Sequence, residues 1–129
     1  MRKAIHLPTD TELAILRALW ELGPATVRQV YHHLVATHQD LNYPAVLRMM
    51  QLMADKGQVL RDQQERSHVY RPAQKKEQVQ GSLVEDLLDR AFGGDALDLL
   101  TATLSRRKMS PAEREEATQL ISRETGKRS

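Results

Sequence analysis

Apolar residues recur at helical spacing in three blocks of the first 57 positions. Leu13, Leu16, Leu19 and Trp20 make the first stripe, Val27, Val30, Tyr31 and Leu34 the second, and Val46, Leu47, Met50, Met53 and Ala54 the third. Steps of three and four residues put each set on one face of a helix. The polar residues between them supply the ends. Thr9-Asp10-Thr11-Glu12 has the Thr-x-x-Glu form of a capping box, in which the hydroxyl satisfies an orphan N–H and the acid reaches back to the cap. Gly23-Pro24 stops that helix, and Thr26-Val27-Arg28-Gln29 repeats the device with Gln in the third place. His38-Gln39-Asp40 reads as a turn. Asn42 is a good N-cap for the third helix, Pro44 falls in its first turn where a missing N–H costs nothing, and Gly57 ends it as a C′ residue does.

The periodicity then changes. Gln58-Val59-Leu60-Arg61 and Ser67-His68-Val69-Tyr70-Arg71 are β-prone runs around the polar turn Asp62-Gln63-Gln64-Glu65-Arg66, and Pro72 ends the second. Two strands alone are marginal, so this hairpin must lean on the helices as a wing. The predicted fold class is mainly α: a winged helix-turn-helix of three helices with a two- or three-stranded wing over residues 1–73, followed by a helical dimerisation region over 74–129.

In that second region Val79, Leu83, Val84, Leu87, Leu88 and Phe92 make one stripe, which Gly93-Gly94 breaks. Leu97, Leu99, Leu100 and Leu104 make another. Ser110-Pro111-Ala112-Glu113 opens a third helix, which carries Ala117, Leu120 and Ile121. Three helices this short cannot bury their stripes on one another, and a second copy of the chain is the natural cover. The expected dimer interface is Leu83, Leu87, Leu88, Phe92, Leu97, Leu100, Leu104, Leu120 and Ile121.

Composition adds restraint. In 129 residues, 40% of them hydrophobic, one Phe, one Trp and three Tyr leave an aliphatic core. The formal charge of +2 is too small to diagnose a nucleic-acid binder, but its distribution is informative. Residues 1–75 carry ten Lys/Arg against seven Asp/Glu and all five His, whereas residues 76–129 carry nine against ten. The basic excess therefore lies with the winged helix. The absence of cysteine excludes a disulfide framework and any thiolate site. No apolar run approaches the roughly 20 residues of a membrane span, so membrane insertion is not expected. Met1-Arg2-Lys3 is followed by no apolar segment, and a cytoplasmic protein is expected.

The third helix carries the candidate chemistry. Opposite its apolar face lie Pro44, Ala45, Arg48, Gln51 and Leu52, the expected base contacts. Among them Arg48 suits guanine and Gln51 suits adenine. Thr26, Arg28, Tyr43, Lys56, Arg61, Arg66, His68 and Arg71 are the expected backbone contacts, which position a protein without reading sequence. The competing reading of each is an ordinary solvated side chain. His32, His33 and His38 lack a cysteine or well-spaced carboxylate to complete a metal site, so neither metal nor cofactor is expected. No Ser/His/Asp grouping, phosphate-cradling glycine loop or paired-acid motif points to an enzyme. Two functions remain: a DNA-binding module, or a winged-helix module for protein–protein interaction, which the apolar Ala45 and Leu52 would suit.

The ordered set Pro8-Thr9-Asp10-Thr11-Glu12-Leu13, Leu19-Trp20, Gly23-Pro24-Ala25-Thr26-Val27, Tyr43, Val46-Leu47, Lys56-Gly57, Tyr70-Arg71-Pro72 and Phe92-Gly93-Gly94 resembles the penicillinase-repressor family of bacterial winged-helix transcriptional repressors. The resemblance spans residues 7–121. It implies a homodimeric repressor on palindromic DNA operators. For members that serve β-lactam resistance, it also implies release by cleavage in the dimerisation region, triggered by a membrane sensor-protease. The chain departs from the pattern at Pro44 and Ala45, where members usually carry Thr or Ser at one or both positions, and at Leu52, where a polar or basic residue is common. The cleaved Asn-Phe pair aligns with Ala102-Thr103, and the Cys-x-Cys tail of copper-responsive relatives has no counterpart here.

Overall fold

The structure, a computed structural model, describes residues 7–38, 40–63 and 68–126. The elements run α1 (Asp10–Leu22), β1 (Ala25–Thr26), α2 (Val27–Leu34), α3 (Tyr43–Asp55), β2 (Val59–Asp62), β3 (Val69–Pro72), α4 (Lys76–Phe92), α5 (Ala96–Arg106) and α6 (Pro111–Gly126). The mainly helical class and the winged helix-turn-helix order agree with the sequence reading. Two compact units are present, one up to Val84 and one from Glu85.

Local chemistry sets the helix ends of the first unit. The Thr9 hydroxyl accepts from the Glu12 N–H at 3.2 Å while the Glu12 carboxylate accepts from the Thr9 N–H at 2.9 Å. Thr26 and Gln29 form the same reciprocal pair at the start of α2. Asn42 Oδ1 accepts from the Ala45 N–H at 2.9 Å, with Pro44 in the first turn of α3. The far end of α3 closes as a Schellman motif: Gly57 N–H donates to Ala54 and Gln58 N–H to Met53. That closure needs a left-handed residue, and Gly57 has φ +80°.

The sheet is antiparallel in the order β1-β3-β2. The short β1, just ahead of α2, supplies the third strand and anchors the hairpin to the helices through Ala25↔Tyr70 and Thr26↔Val69. Asp62, expected in the turn, extends β2 opposite Val69. Pro72 closes β3 opposite Val59, past the end of the β1 pairing, where its missing N–H interrupts no ladder. Ser67 and the expected turn residues Gln64, Glu65 and Arg66 lie outside the described residues, as does Gln39 of the α2–α3 turn.

One core holds this unit together. Ile15, Leu16 and Leu19 of α1, Val27, Val30 and Leu34 of α2, and Val46, Met50 and Met53 of α3 meet Val59 and Tyr70 of the sheet. Each large side chain buried here contributes about 1.5–3 kcal/mol. Trp20 and Leu47 pack only partly against this core, and the Trp20 indole N–H is buried with no partner among the described residues. Ile15, off the expected stripe, is fully buried. The core also takes in Val79 and, at its edge, Leu83. The first turns of α4 therefore belong with the winged helix, and the compact unit runs past the expected boundary at residue 73.

The second unit has the opposite character. Asp95 caps α5 through the Asp98 N–H, and Ser110 and Glu113 form a capping box on α6. Yet no residue from Glu85 to Glu124 is buried. Leu87, Leu97, Leu100, Leu104, Leu120 and Ile121 are all exposed, Leu97 by 71%. Among the described residues, no helix is long and apolar enough to cross a membrane.

Candidate nucleic-acid interface

Val46, Met50 and Met53 are fully buried, and this anchors α3 by one face and fixes what the other presents. Pro44, Ala45, Arg48, Gln51 and Leu52, the five expected base-reading residues, are all exposed on it. At 100° per residue, Pro44 and Gln51 fall about 40° and 60° to one side of Arg48, and Leu52 and Ala45 about 40° and 60° to the other. Arg48 therefore sits on the crest, with one flank ending in an amide and the other wholly apolar.

The Gln51 flank borders a groove of about 380 Å³ lined by Thr26, Val27, Arg28, Tyr43, Leu47, Gln51, His68 and Tyr70. Four expected backbone contacts, Thr26, Arg28, Tyr43 and His68, thus converge on one concavity with Gln51, an expected base contact. The Arg28 guanidinium lies 5.0 Å from the centroid of the Tyr43 ring, and Tyr31 meets that ring edge-on at 5.8 Å. Stacking holds the Arg28 cation beside the start of α3 and contributes about 0.5–1 kcal/mol at an exposed site. The sequence named Arg28 and Tyr43 separately; their contact depends on how α2 crosses α3.

Strand pairing sorts the wing cations. Arg61 lies opposite Tyr70 and Leu60 opposite Arg71. Paired residues share a face of a sheet and neighbours along a strand alternate, so Arg61 and Arg71 project from opposite faces of the hairpin. Arg66 lies outside the described residues.

Lys56 is differently placed from the other expected backbone contacts. Its Nζ lies 2.9 Å from Oε2 of Glu12, which is 1% exposed, and Gln58 Nε2 donates to the other carboxylate oxygen at 3.2 Å. Burial pushes the Glu12 carboxyl upward. The backbone hydrogen bond from Thr9, the side-chain bonds from Lys56 and Gln58 and the Lys56 charge outweigh it and hold the group down at about 2. The capping box flagged Glu12; its second role, across 44 residues of chain, had no local signal.

Of the three histidines weighed for metal, His33 pairs with Glu21 at 2.8 Å and His38 with the Thr37 hydroxyl at 2.9 Å. Among the described residues no group of three His, Cys, Asp or Glu is arranged to hold a metal ion. Of the expected dimer residues, Leu83 packs against the winged-helix core, Leu88 and Phe92 are half-buried, and the other six are exposed.

Comparison with known proteins bears on the whole arrangement. The chain is similar to the transcriptional regulator BlaI of Mycobacterium tuberculosis strain ATCC 25618 / H37Rv and to that of strain CDC 1551 / Oshkosh. Identity to each is 35% over 83 residues, which cover 64% of this chain and 59% of the relative. The family model described as penicillinase repressor matches residues 8–123. The chain belongs to the penicillinase-repressor family.

Proposed function

We propose that this protein is a cytoplasmic transcriptional repressor that binds palindromic duplex-DNA operators as a homodimer, with α3 of each copy in the major groove. The observation that carries the reading is the exposed face of α3. Arg48 and Gln51 stand clear of a scaffold that buries the opposite face, and Thr26, Arg28, Tyr43 and His68 ring the adjoining groove. In this assignment Pro44, Ala45, Arg48, Gln51 and Leu52 meet base edges, while Thr26, Arg28, Tyr43, Arg61, Arg66, His68 and Arg71 meet the backbone. Lys56 reaches the backbone only with the part of its charge that Glu12 leaves uncompensated.

Dimerisation is supported by the second unit, which has exposed leucines on α4, α5 and α6 and no buried residue from Glu85 to Glu124. A second copy supplies the missing cover, with Leu87, Leu97, Leu100, Leu104, Leu120 and Ile121 at its centre. Family membership supports release by a membrane sensor-protease system, and the exposed, uncovered helices are where a cut would separate the two readers.

Footprinting on the region upstream of the protein's own gene, with affinity measured across salt concentrations, tests the reading. A protected palindrome and a steep loss of affinity with salt are expected, because neutralised phosphates release counterions. Negligible duplex affinity, together with a protein partner held through residues 44–55, would replace the reading with that of a protein-interaction module.

A further inference from the structure

We propose that the apolar flank of α3 reads the C5-methyl groups of thymines, so that each operator half-site carries adjacent A·T pairs beside the guanine met by Arg48. This rests on the reading of α3 as the DNA-facing helix and specifies what that helix recognises.

Ala45, Met49 and Leu52 follow one another at four- and three-residue steps along the side of α3 turned away from the groove. Leu52 is 37% exposed, Ala45 is exposed and Met49 half-buried against the core, so the strip is anchored at its base and open at its edge. It offers no side-chain hydrogen-bond donor. From Ala45 to Leu52 the helix rises about 10 Å, the length of about three base-pair steps at 3.4 Å each. The strip is immediately beside Arg48, so a helix placed to give Arg48 its guanine lays these three side chains along the neighbouring pairs.

The thymine methyl is the one apolar group that a base pair presents in the major groove. Against the strip it removes apolar surface from water on both sides. A G·C pair in the same place has no methyl to bury against Leu52, so the strip gains less from it. Gln51, on the other flank, keeps a polar reader suited to adenine.

The test uses the full chain and a random duplex pool. The enriched operator is remade with uracil for thymine at one symmetric pair of positions at a time, which removes only the methyl group. At one or two positions per half-site affinity should fall about fourfold per methyl, or about sixteenfold for the symmetric pair, from burial of one carbon. Leu52→Ala, a change at an exposed position, should lower affinity for the thymine operator and reduce the difference between thymine and uracil at those positions. An enriched operator whose thymines can all be replaced without effect overturns this inference alone, as does undiminished methyl sensitivity in Leu52→Ala. Failure to enrich any sequence removes the DNA reading itself, and this inference with it.

Discussion

Lys56, one residue past the end of α3, holds the Glu12 carboxylate at 2.9 Å, and Glu12 in turn caps the start of α1 through the Thr9 N–H. One buried acid therefore ties the first helix of the fold to the last turn of the helix that presents Arg48. A buried carboxylate is tolerable only with partners, and this one has three: Thr9, Lys56 and Gln58.

The first prediction follows from its titration. The carboxyl is held at about 2 in the folded chain against an ordinary 4.5. The resulting stability, about 2–3 kcal/mol, is complete above pH 4.5 and is lost as pH falls from there toward 2, because the unfolded chain takes up the proton first. Thermal unfolding should show Tm falling through this window, and Glu12→Gln should flatten the fall while lowering Tm at pH 7. Lys56→Met, which removes the cation and leaves the acid, should move the acid transition to higher pH. A Glu12→Gln variant with an unchanged acid limb would mean that Glu12 is not the group responsible.

The second prediction concerns the crest of α3. Arg48→Ala should weaken binding to the selected operator by about 1–3 kcal/mol and leave non-specific duplex binding nearly unchanged. Arg48→Lys should not restore it, since an ammonium cannot make the bidentate pair to guanine. The ratio of specific to non-specific affinity is the measurement, and a constant ratio would move the base contacts off this face.

Local signals carried most of the fold. The Thr9, Thr26 and Asn42 caps, the Gly57 closure and the buried face Val46-Met50-Met53 were readable because each is built in steps of at most five residues. Long-range relations were not. The two residues of β1 double as the run-in to α2, and only their pairing with Val69 and Tyr70 makes them a strand. Val79 reads as part of a continuous stripe to Phe92, yet it is buried in the winged-helix core while Leu87 is exposed and Leu88 and Phe92 are only half-buried. The stripe gives the face of the helix and not the identity of what covers it. In the same way the exposed positions of α3 were legible from period alone, whereas the groove beside Gln51 required the crossing of α2 and the register of β3.

A third prediction uses the wing. Arg61 and Arg71 project from opposite faces of the hairpin, so a wing entering a groove edge-on presents one to each wall of phosphates. Arg61→Gln and Arg71→Gln should each make the salt slope of DNA binding shallower by about 1, alike for all sequences, and together by about 2. A change from Arg61 alone would bring only the Arg61 side of the hairpin to the phosphates.

The last prediction concerns assembly. With Leu97 71% exposed and no buried residue from Glu85 to Glu124, the second unit cannot be held by a core of its own. Sedimentation of the full chain should give a dimer at micromolar concentration. Leu87→Asp with Leu100→Asp should give a monomer, by placing unpaired carboxylates in an apolar interface. The monomer should hold a half-site weakly, because joining two readers raises the effective concentration for the second contact. The operator should show half-sites about 34–36 Å apart, or a multiple of that spacing. Where the chain is cut also matters. Ending it after Phe92 keeps Val79 and Leu83 on the winged-helix core and should leave a folded monomer. Ending it after Ala73 removes both and should lower Tm, since loss of a buried aliphatic side chain costs about 2–5 kcal/mol. A full-length chain that stays monomeric at that concentration and still binds a palindrome tightly would exclude the paired-reader architecture.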